Sequence, residues 1–280
     1  MKLLNPRLPT DTVRASRLKA LVLDWAGTTV DFGSVAPART LQQVFARADI
    51  QLTEAEIRRD MGLPKKDHIF EILSIPRVSE AWLALRGHPP TRTDAEDAYQ
   101  HFMLLQLSCL AEYSRLIPGV LESVQRFRER GLKIGSTTGY PRAALDLLLE
   151  NSARAGYRPD CSLSPEDVGA GRPAPFMILE NAVRLKVYPP ASIVKVGDTP
   201  ADIQEGLNAG AWSIGVAGTG NGIGLSYDEF QVLPPNERHS RLEHARSELN
   251  HAGAHYVVDT LAELDPVLDE IDTRLKSAGG

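Results

Sequence analysis

An aspartate standing where an apolar run stops is the first residue of this sequence equipped for chemistry: Ala20-Leu-Val-Leu-Asp24 leads into Trp-Ala-Gly-Thr-Thr-Val-Asp31. A carboxylate at the carboxyl end of a buried parallel strand lies where open α/β sheets hold their ligands. Three further stretches carry residue types that complement it. Ser136-Thr-Thr-Gly139 offers hydroxyls and backbone N–H groups to anionic oxygens. Gly171-Arg172-Pro-Ala-Pro175 sets a cation in a rigid turn, and Lys195-Val-Gly-Asp198-Thr-Pro-Ala-Asp202 ends a strand on one carboxylate with a second four residues on. Phosphoryl transfer needs this set: an anionic nucleophile, hard carboxylate oxygens for a divalent metal, and donors plus a cation for the non-bridging oxygens. Taken singly, each stretch reads equally as a turn or a helix cap, with Asp198 or Thr199 capping before Pro200. Their joint occurrence after strands is what points to a site.

These residues need elements to position them. Residues 18–24 are nearly continuously apolar, as a strand covered by helices on both sheet faces must be. Hydrophobic spacing with Pro and Gly punctuation predicts further strands over 132–137, 160–163, 192–197, 212–216 and 255–258. Helices are predicted over 120–130, 141–155, 175–185, 201–209 and 261–276. That alternation gives right-handed crossovers and an α/β fold, a doubly wound parallel sheet with a Rossmann-like core.

Residues 34–112 break the rhythm. Pro37 suits a first helical turn, and Leu41, Val44, Phe45 and Ala48 recur at helical spacing. Thr53-Glu-Ala-Glu56 reads as a capping box and Met61-Gly62 as a break. Pro64 and Pro76 start helices, and Thr93-Asp-Ala-Glu96 reads as a second capping box before a long helix ending near residue 116. The chain is thus expected to comprise a core domain of residues 1–33 and 113–280 and a helical cap domain, 34–112, inserted after the first strand and lying over Asp24. Residues 1–17 read as a loose leader and 218–224 as a Gly-rich loop.

Bulk properties narrow the function classes. A net charge of −5 over 280 residues argues against a nucleic-acid or anionic-membrane partner, yet leaves room for a small phosphate-bearing substrate met by local positive charge. The two cysteines, Cys109 and Cys161, make no disulfide or zinc framework, and no apolar run reaches membrane-spanning length, so a cytoplasmic protein is expected.

The four stretches resemble, in order, the four motifs of the haloacid dehalogenase superfamily of phosphotransferases. Within it, Asp24 to Asp31, Met61-Gly-Leu-Pro-Lys-Lys-Asp-His68, Ile134-Gly-Ser-Thr-Thr-Gly-Tyr140, Gly171 to Pro175 and Lys195 to Thr199 resemble the phosphonatase family, which cleaves the C–P bond of phosphonoacetaldehyde. The resemblance implies that Asp24 is the nucleophile forming an aspartyl-phosphate. Mg²⁺ is then held by Asp24, the Ala26 carbonyl and Asp198, with Asp202 in support. Thr138 and Gly139 take phosphoryl oxygens, Arg172 grips the phosphonate with its fork, and Met61 and Tyr140 line the substrate site.

A carbon leaving group cannot depart as an alkoxide does, but a lysine amine condensed with the aldehyde gives an imine that accepts the electrons of the breaking bond. Chemistry alone leaves Lys65 and Lys66 both open, and an exposed Lys-Lys pair is also an ordinary charged face. The resemblance points to Lys65, with Lys66 as a neighbouring ammonium able to depress its pKa. His68, three residues along the helix, is placed to shuttle protons. The alternative, a phosphate-monoester phosphatase of the same superfamily, wants an acid at position 26, where this chain has Ala26. A receiver-like signalling module also builds a phospho-accepting aspartate on such a sheet; the large insert and the late Asp198/Asp202 pair count against it. The resemblance further implies a homodimer joined through the helical caps, with Trp82 or the first cap helix at the contact.

Overall fold

The computed structural model describes residues 17–278, so all but the last residue of the expected leader lies outside the described residues. The chain begins with β1 (Ala20–Leu23), followed by α1 (Val35–Arg47), α2 (Glu54–Arg58), α3 (Lys65–Ser74), α4 (Pro76–Arg86) and α5 (Arg92–Tyr113). Then come α6 (Val120–Glu129), β2 (Lys133–Thr137), α7 (Arg142–Arg154), β3 (Cys161–Leu163), α8 (Pro165–Val168) and α9 (Phe176–Leu185). β4 (Ile193–Gly197), α10 (Pro200–Asn208), β5 (Trp212–Val216), α11 (Tyr227–Gln231), α12 (Pro235–His251), β6 (Tyr256–Val258) and α13 (Leu264–Ala278) complete it.

The strands form one sheet in the order β3-β2-β1-β4-β5-β6, each pair parallel. β1 is hydrogen-bonded on both sides, and all four of its residues are buried, which is why its sequence is uninterruptedly apolar. Its side chains alternate between two cores. Leu21 and Leu23 pack with Val124, Phe127, Leu145, Leu148 and Leu268, while Ala20 and Val22 pack with Met177, Ile178 and Leu185. Each fully buried Leu or Phe contributes about 1.5–3 kcal/mol. The register then decides where the chemistry falls: Leu23 lies opposite Ser136 on β2 and Val196 on β4. The residues at and just past the strand ends, Asp24, Thr137-Thr138 and Asp198, therefore gather at the carboxyl edge of the sheet.

The five helices α1–α5 enclose a separate apolar cluster drawn entirely from residues 38–102, including Leu41, Phe45, Ile69, Ile72, Trp82 and Phe102. Trp82, expected at a subunit contact, is 8% exposed within it. The Thr53–Glu56 capping box is formed as expected, with Thr53 N donating to Glu56 at 2.8 Å. The second box is Thr91 with Asp94, not Thr93 with Glu96. Thr91 is the first residue after Pro89 and Pro90 and takes the extended cap conformation, so α5 starts earlier. Residues 218–250, where periodicity marks nothing but a Gly-rich loop, also contain α11 and α12. α12 buries only Ala245 and Leu249 and so lacks an apolar stripe to betray it. No helix among the described residues is long and apolar enough to cross a membrane.

Candidate active site

The turn after β1 holds Asp24 in place from both sides. Its N–H donates to the Val196 carbonyl at 2.9 Å, and its carbonyl accepts the Thr29 hydroxyl at 2.9 Å. The Trp25 carbonyl accepts the N–H groups of Thr29 and Val30 at 2.8 and 2.9 Å, closing the loop, and the Trp25 indole N–H donates to Ser136 Oγ at 3.0 Å. Gly27, at φ +85°, is required here, since a Cβ would stand 2.2 Å from Asp198 Oδ2.

Asp24, Asp198 and Asp202 are all buried and bring carboxylate oxygens within 4.8 Å of one another. Burial, then the charges of Asp24 and Asp202, push Asp198 well above the usual carboxylate range. Burial pushes Asp24 up as well, against the pull of Arg172. Crowded hard oxygens whose charges repel are a donor set that a divalent cation such as Mg²⁺ relieves, so the residues fit that ion. Asp202 differs from the other two. Its Oδ1 pairs with Arg172 Nη1 at 2.9 Å and Lys195 Nζ at 2.8 Å, and its Oδ2 accepts from Thr199 Oγ1 at 2.6 Å. Those cations outweigh burial and hold its pKa low, and both of its oxygens are occupied. Thr199 does cap α10, as the helix-cap reading of this stretch expects.

Arg172 is the hub. Besides Asp202, it reaches Asp24 Oδ1 at 2.6 Å, Thr137 Oγ1 at 2.9 Å and Glu205 Oε2 at 3.0 Å. The sequence reading reserves its fork for the substrate, whereas here the fork already grips carboxylates and fixes the direction of Asp24. Lys195, given no role in that reading, and Glu205, absent from it, complete the network: Lys195 Nζ bonds Thr137 Oγ1 at 2.8 Å and lies 3.3 Å from Glu205. A lysine inside a fully buried strand was the available signal for the first; Glu205, three residues after Asp202 on the same helix face, for the second.

From the helical segment, the 61–64 loop comes down on these strand ends. A Cβ on Gly62 would meet Thr199 Oγ1 at 2.2 Å, one on Gly139 would meet the Gly62 and Leu63 carbonyls at 2.8 Å, and one on Gly171 would meet Pro64 at 2.3 Å. The facing backbones are that close. The contact delivers Lys65, 5% exposed, with its Nζ 3.6 Å from Met61 Sδ and 5.8 Å from the Tyr140 ring centre. Burial lowers the Lys65 pKa to about 8, Arg172 adding to the fall and Asp24 opposing it. Lys66 plays no part in that shift. It is half exposed, paired with Glu96 at 2.8 Å and set over the Tyr99 ring.

Asp24, Ala26, Met61, Gly62, Lys65, Thr138, Gly139, Tyr140, Arg172 and Asp198 surround one cavity, with Ser34, Pro37 and Thr199 added by the fold; its volume is about 20 Å³ as traced by the centre of a water molecule. Thr138 spends its N–H on the Leu163 carbonyl and its hydroxyl accepts from Tyr140 N, leaving the hydroxyl proton to offer. His68 lies outside the cavity lining. Its Nε2 is 2.9 Å from the Ile57 carbonyl and so carries the proton, Nδ1 is buried without a partner, and burial keeps the ring neutral.

A haloacid dehalogenase-like hydrolase domain matches residues 18–210. The chain is 42% identical over 258 residues to phosphonoacetaldehyde hydrolase of Syntrophobacter fumaroxidans, spanning 92% of this chain and 93% of the relative. It is 40% identical over 256 residues to the enzyme of that name from Bacillus thuringiensis, spanning 91% and 97%. A crystal structure of a phosphonoacetaldehyde hydrolase-like protein from Oleispira antarctica superimposes with a TM-score of 0.90 at 38% identity, covering 96% of this chain and 98% of that one.

Proposed function

The chain belongs to the phosphonoacetaldehyde hydrolase family of the haloacid dehalogenase-like hydrolases, and we propose that it hydrolyses the C–P bond of phosphonoacetaldehyde to acetaldehyde and phosphate. The observation that carries the reading is a buried amine of lowered pKa, Lys65, facing the carboxylate Asp24 across one cavity with no acid at position 26.

In the proposed sequence, neutral Lys65 adds to the aldehyde and loses water to give an imine, which is protonated. Asp24, aimed by Arg172, attacks phosphorus. The C–P bonding electrons pass to carbon, leaving an enamine on Lys65 and an aspartyl-phosphate on Asp24. Protonation of the enamine carbon and hydrolysis of the imine release acetaldehyde; water releases phosphate from Asp24. Thr138 and Gly139 hold phosphoryl oxygens, and Met61 and Tyr140 pack about the amine. His68, a neutral imidazole with a free Nδ1 one helical turn from Lys65, takes the proton transfers at the amine. Asp24, Asp198 and the Ala26 carbonyl, with Asp202 in support, would hold Mg²⁺, which would supply positive charge between the anionic nucleophile and the anionic phosphonate. Residues 34–112 act as the cap domain over this centre and residues 17–33 and 113–278 as its core. The reading also takes the protein as cytoplasmic, which two free cysteines suit, and as a homodimer, as the family resemblance implies.

The test is phosphate release from phosphonoacetaldehyde with Mg²⁺, with and without borohydride. Release is expected in its absence, and borohydride added with substrate should inactivate the enzyme and label Lys65. Fast turnover of simple phosphate esters with none of the phosphonate would favour a phosphatase instead. The reacting form is the free amine, whose fraction grows as pH rises. Activity should therefore climb on an acid limb with a midpoint at or below about 8, since a dication on Asp24 and Asp198 cancels the charges that hold the proton. A limb centred near the ordinary lysine value would contradict this. Lys66→Ala, by contrast, removes an exposed ion pair and should leave kcat/KM within about threefold of the parent.

A further inference from the structure

We propose that Arg58 is a positioning residue for the Asp198 carboxylate, acting through Asn221, so that seating the helical segment on the sheet completes the metal-holding end of the site. The inference rests on the reading of Asp198 as a metal ligand. Arg58 ends α2, outside the cavity lining, and its side chain is 13% exposed. Its Nη1 donates to the Gly33 carbonyl at 3.0 Å and to Asn221 Oδ1 at 2.9 Å, and its Nη2 donates to the Gly224 carbonyl at 2.9 Å. Asn221 answers: its Nδ2 donates to the Arg58 carbonyl at 3.2 Å. Both ends of the Asn221 amide are thus committed to one residue of the helical segment.

The backbone of Asn221 makes the other connection. Its N–H donates to Asp198 Oδ2 at 2.6 Å, a short charge-assisted bond, while Oδ1 has only the Thr28 hydroxyl at 3.4 Å. Asn221 therefore supplies the one firm hydrogen bond that orients this carboxylate. Glycines let the loop pass between the two residues. A Cβ on Gly220 would stand 2.3 Å from Asp198 Cβ, and one on Gly224, at φ +71°, would stand 2.5 Å from Glu54 and 3.0 Å from Arg58 Nε. On this loop Arg58 bonds carbonyl and amide oxygens only, so what it supplies there is geometry. A planar fork reaches acceptors on either side of it at once; a lysine ammonium does not.

The experiment is calorimetric titration of Mg²⁺ into the parent, Arg58→Met, Asn221→Ala and the double variant, at a temperature where circular dichroism reports each folded, with kcat and KM measured beside it. Arg58→Met should weaken Mg²⁺ binding about 10-fold or more and lower kcat more than it raises KM. The double variant should bind Mg²⁺ within about twofold of Arg58→Met, because both changes cut the same chain of bonds. Unchanged Mg²⁺ affinity in Arg58→Met, or losses that multiply in the double variant, would overturn the proposal. Should Arg58→Met not fold, Asn221→Ala decides: weaker binding supports the proposal and parental binding refutes it. A parent that binds no Mg²⁺ refutes the metal reading and this inference together. A parent that binds Mg²⁺ but releases no phosphate refutes only the assigned reaction, and the titration still decides on Arg58.

Discussion

Lys65→Arg is expected to end turnover of phosphonoacetaldehyde, lowering kcat/KM by about 10⁴-fold or more. Arginine keeps the charge and much of the length, but its guanidinium stays protonated and forms no imine under these conditions. The parent lysine is suited to the task because burial has brought its pKa to about 8, so that a useful fraction is the free amine near neutral pH. The cause of that shift matters to the design of the test. Lys66 does not contribute, so changing it is no substitute for changing Lys65. Phosphate release and borohydride labelling are the measurements. A Lys65→Arg enzyme retaining more than about one per cent of activity would mean that the C–P bond breaks without an imine on this residue.

Asp24→Asn should be equally damaging, again by about 10⁴-fold or more, and informative in a different way. The carboxamide is nearly isosteric, but it neither attacks phosphorus nor attracts a cation. Arg172 would also lose its closest carboxylate, although Asp202 and Glu205 keep it in place. The amine remains, its pKa lowered further by the loss of the Asp24 charge. Substrate and borohydride should therefore still label Lys65 in Asp24→Asn while phosphate release is lost and rapid quenching finds no phosphorylated protein. If labelling disappears along with phosphate release, then imine formation depends on Asp24 and the two halves of the site are not separable as proposed.

The parts of the site that could be read from sequence are those where a residue type interrupts a pattern. Asp24 ends an apolar strand, Ser136 to Gly139 follow another, and Asp198 closes a third; the register of β1 against β2 and β4 then gathers all three at one sheet edge. Lys65 needed the loop before it, since its difference from Lys66 lies wholly in which side of α3 meets the core: one is 5% exposed and the other extends to Glu96 in solvent. What sequence hid were pairings across long separations. Arg172 binds Asp24 from 148 residues away and Arg58 binds Asn221 from 163, and no local periodicity encodes either. Arg172 also illustrates how a residue can be placed correctly while its partners are missed. Its fork matched an oxyanion in the abstract, but Asp202 and Glu205 on the first turns of α10 stand within its reach.

The three glycine contacts that press the 61–64 loop onto the sheet leave a chamber of about 20 Å³, space for about one water. A phosphonate with its two-carbon aldehyde does not fit such a space as it stands. On the proposed function, each catalytic cycle would then begin and end with the helical segment lifting away, which would make the turnover number a property of that movement as much as of an amine and a carboxylate. The same tightness protects the chemistry. On the proposed chemistry, the narrow cavity leaves little room for solvent beside an enamine and an acyl phosphate, so the water that hydrolyses each would enter with that movement.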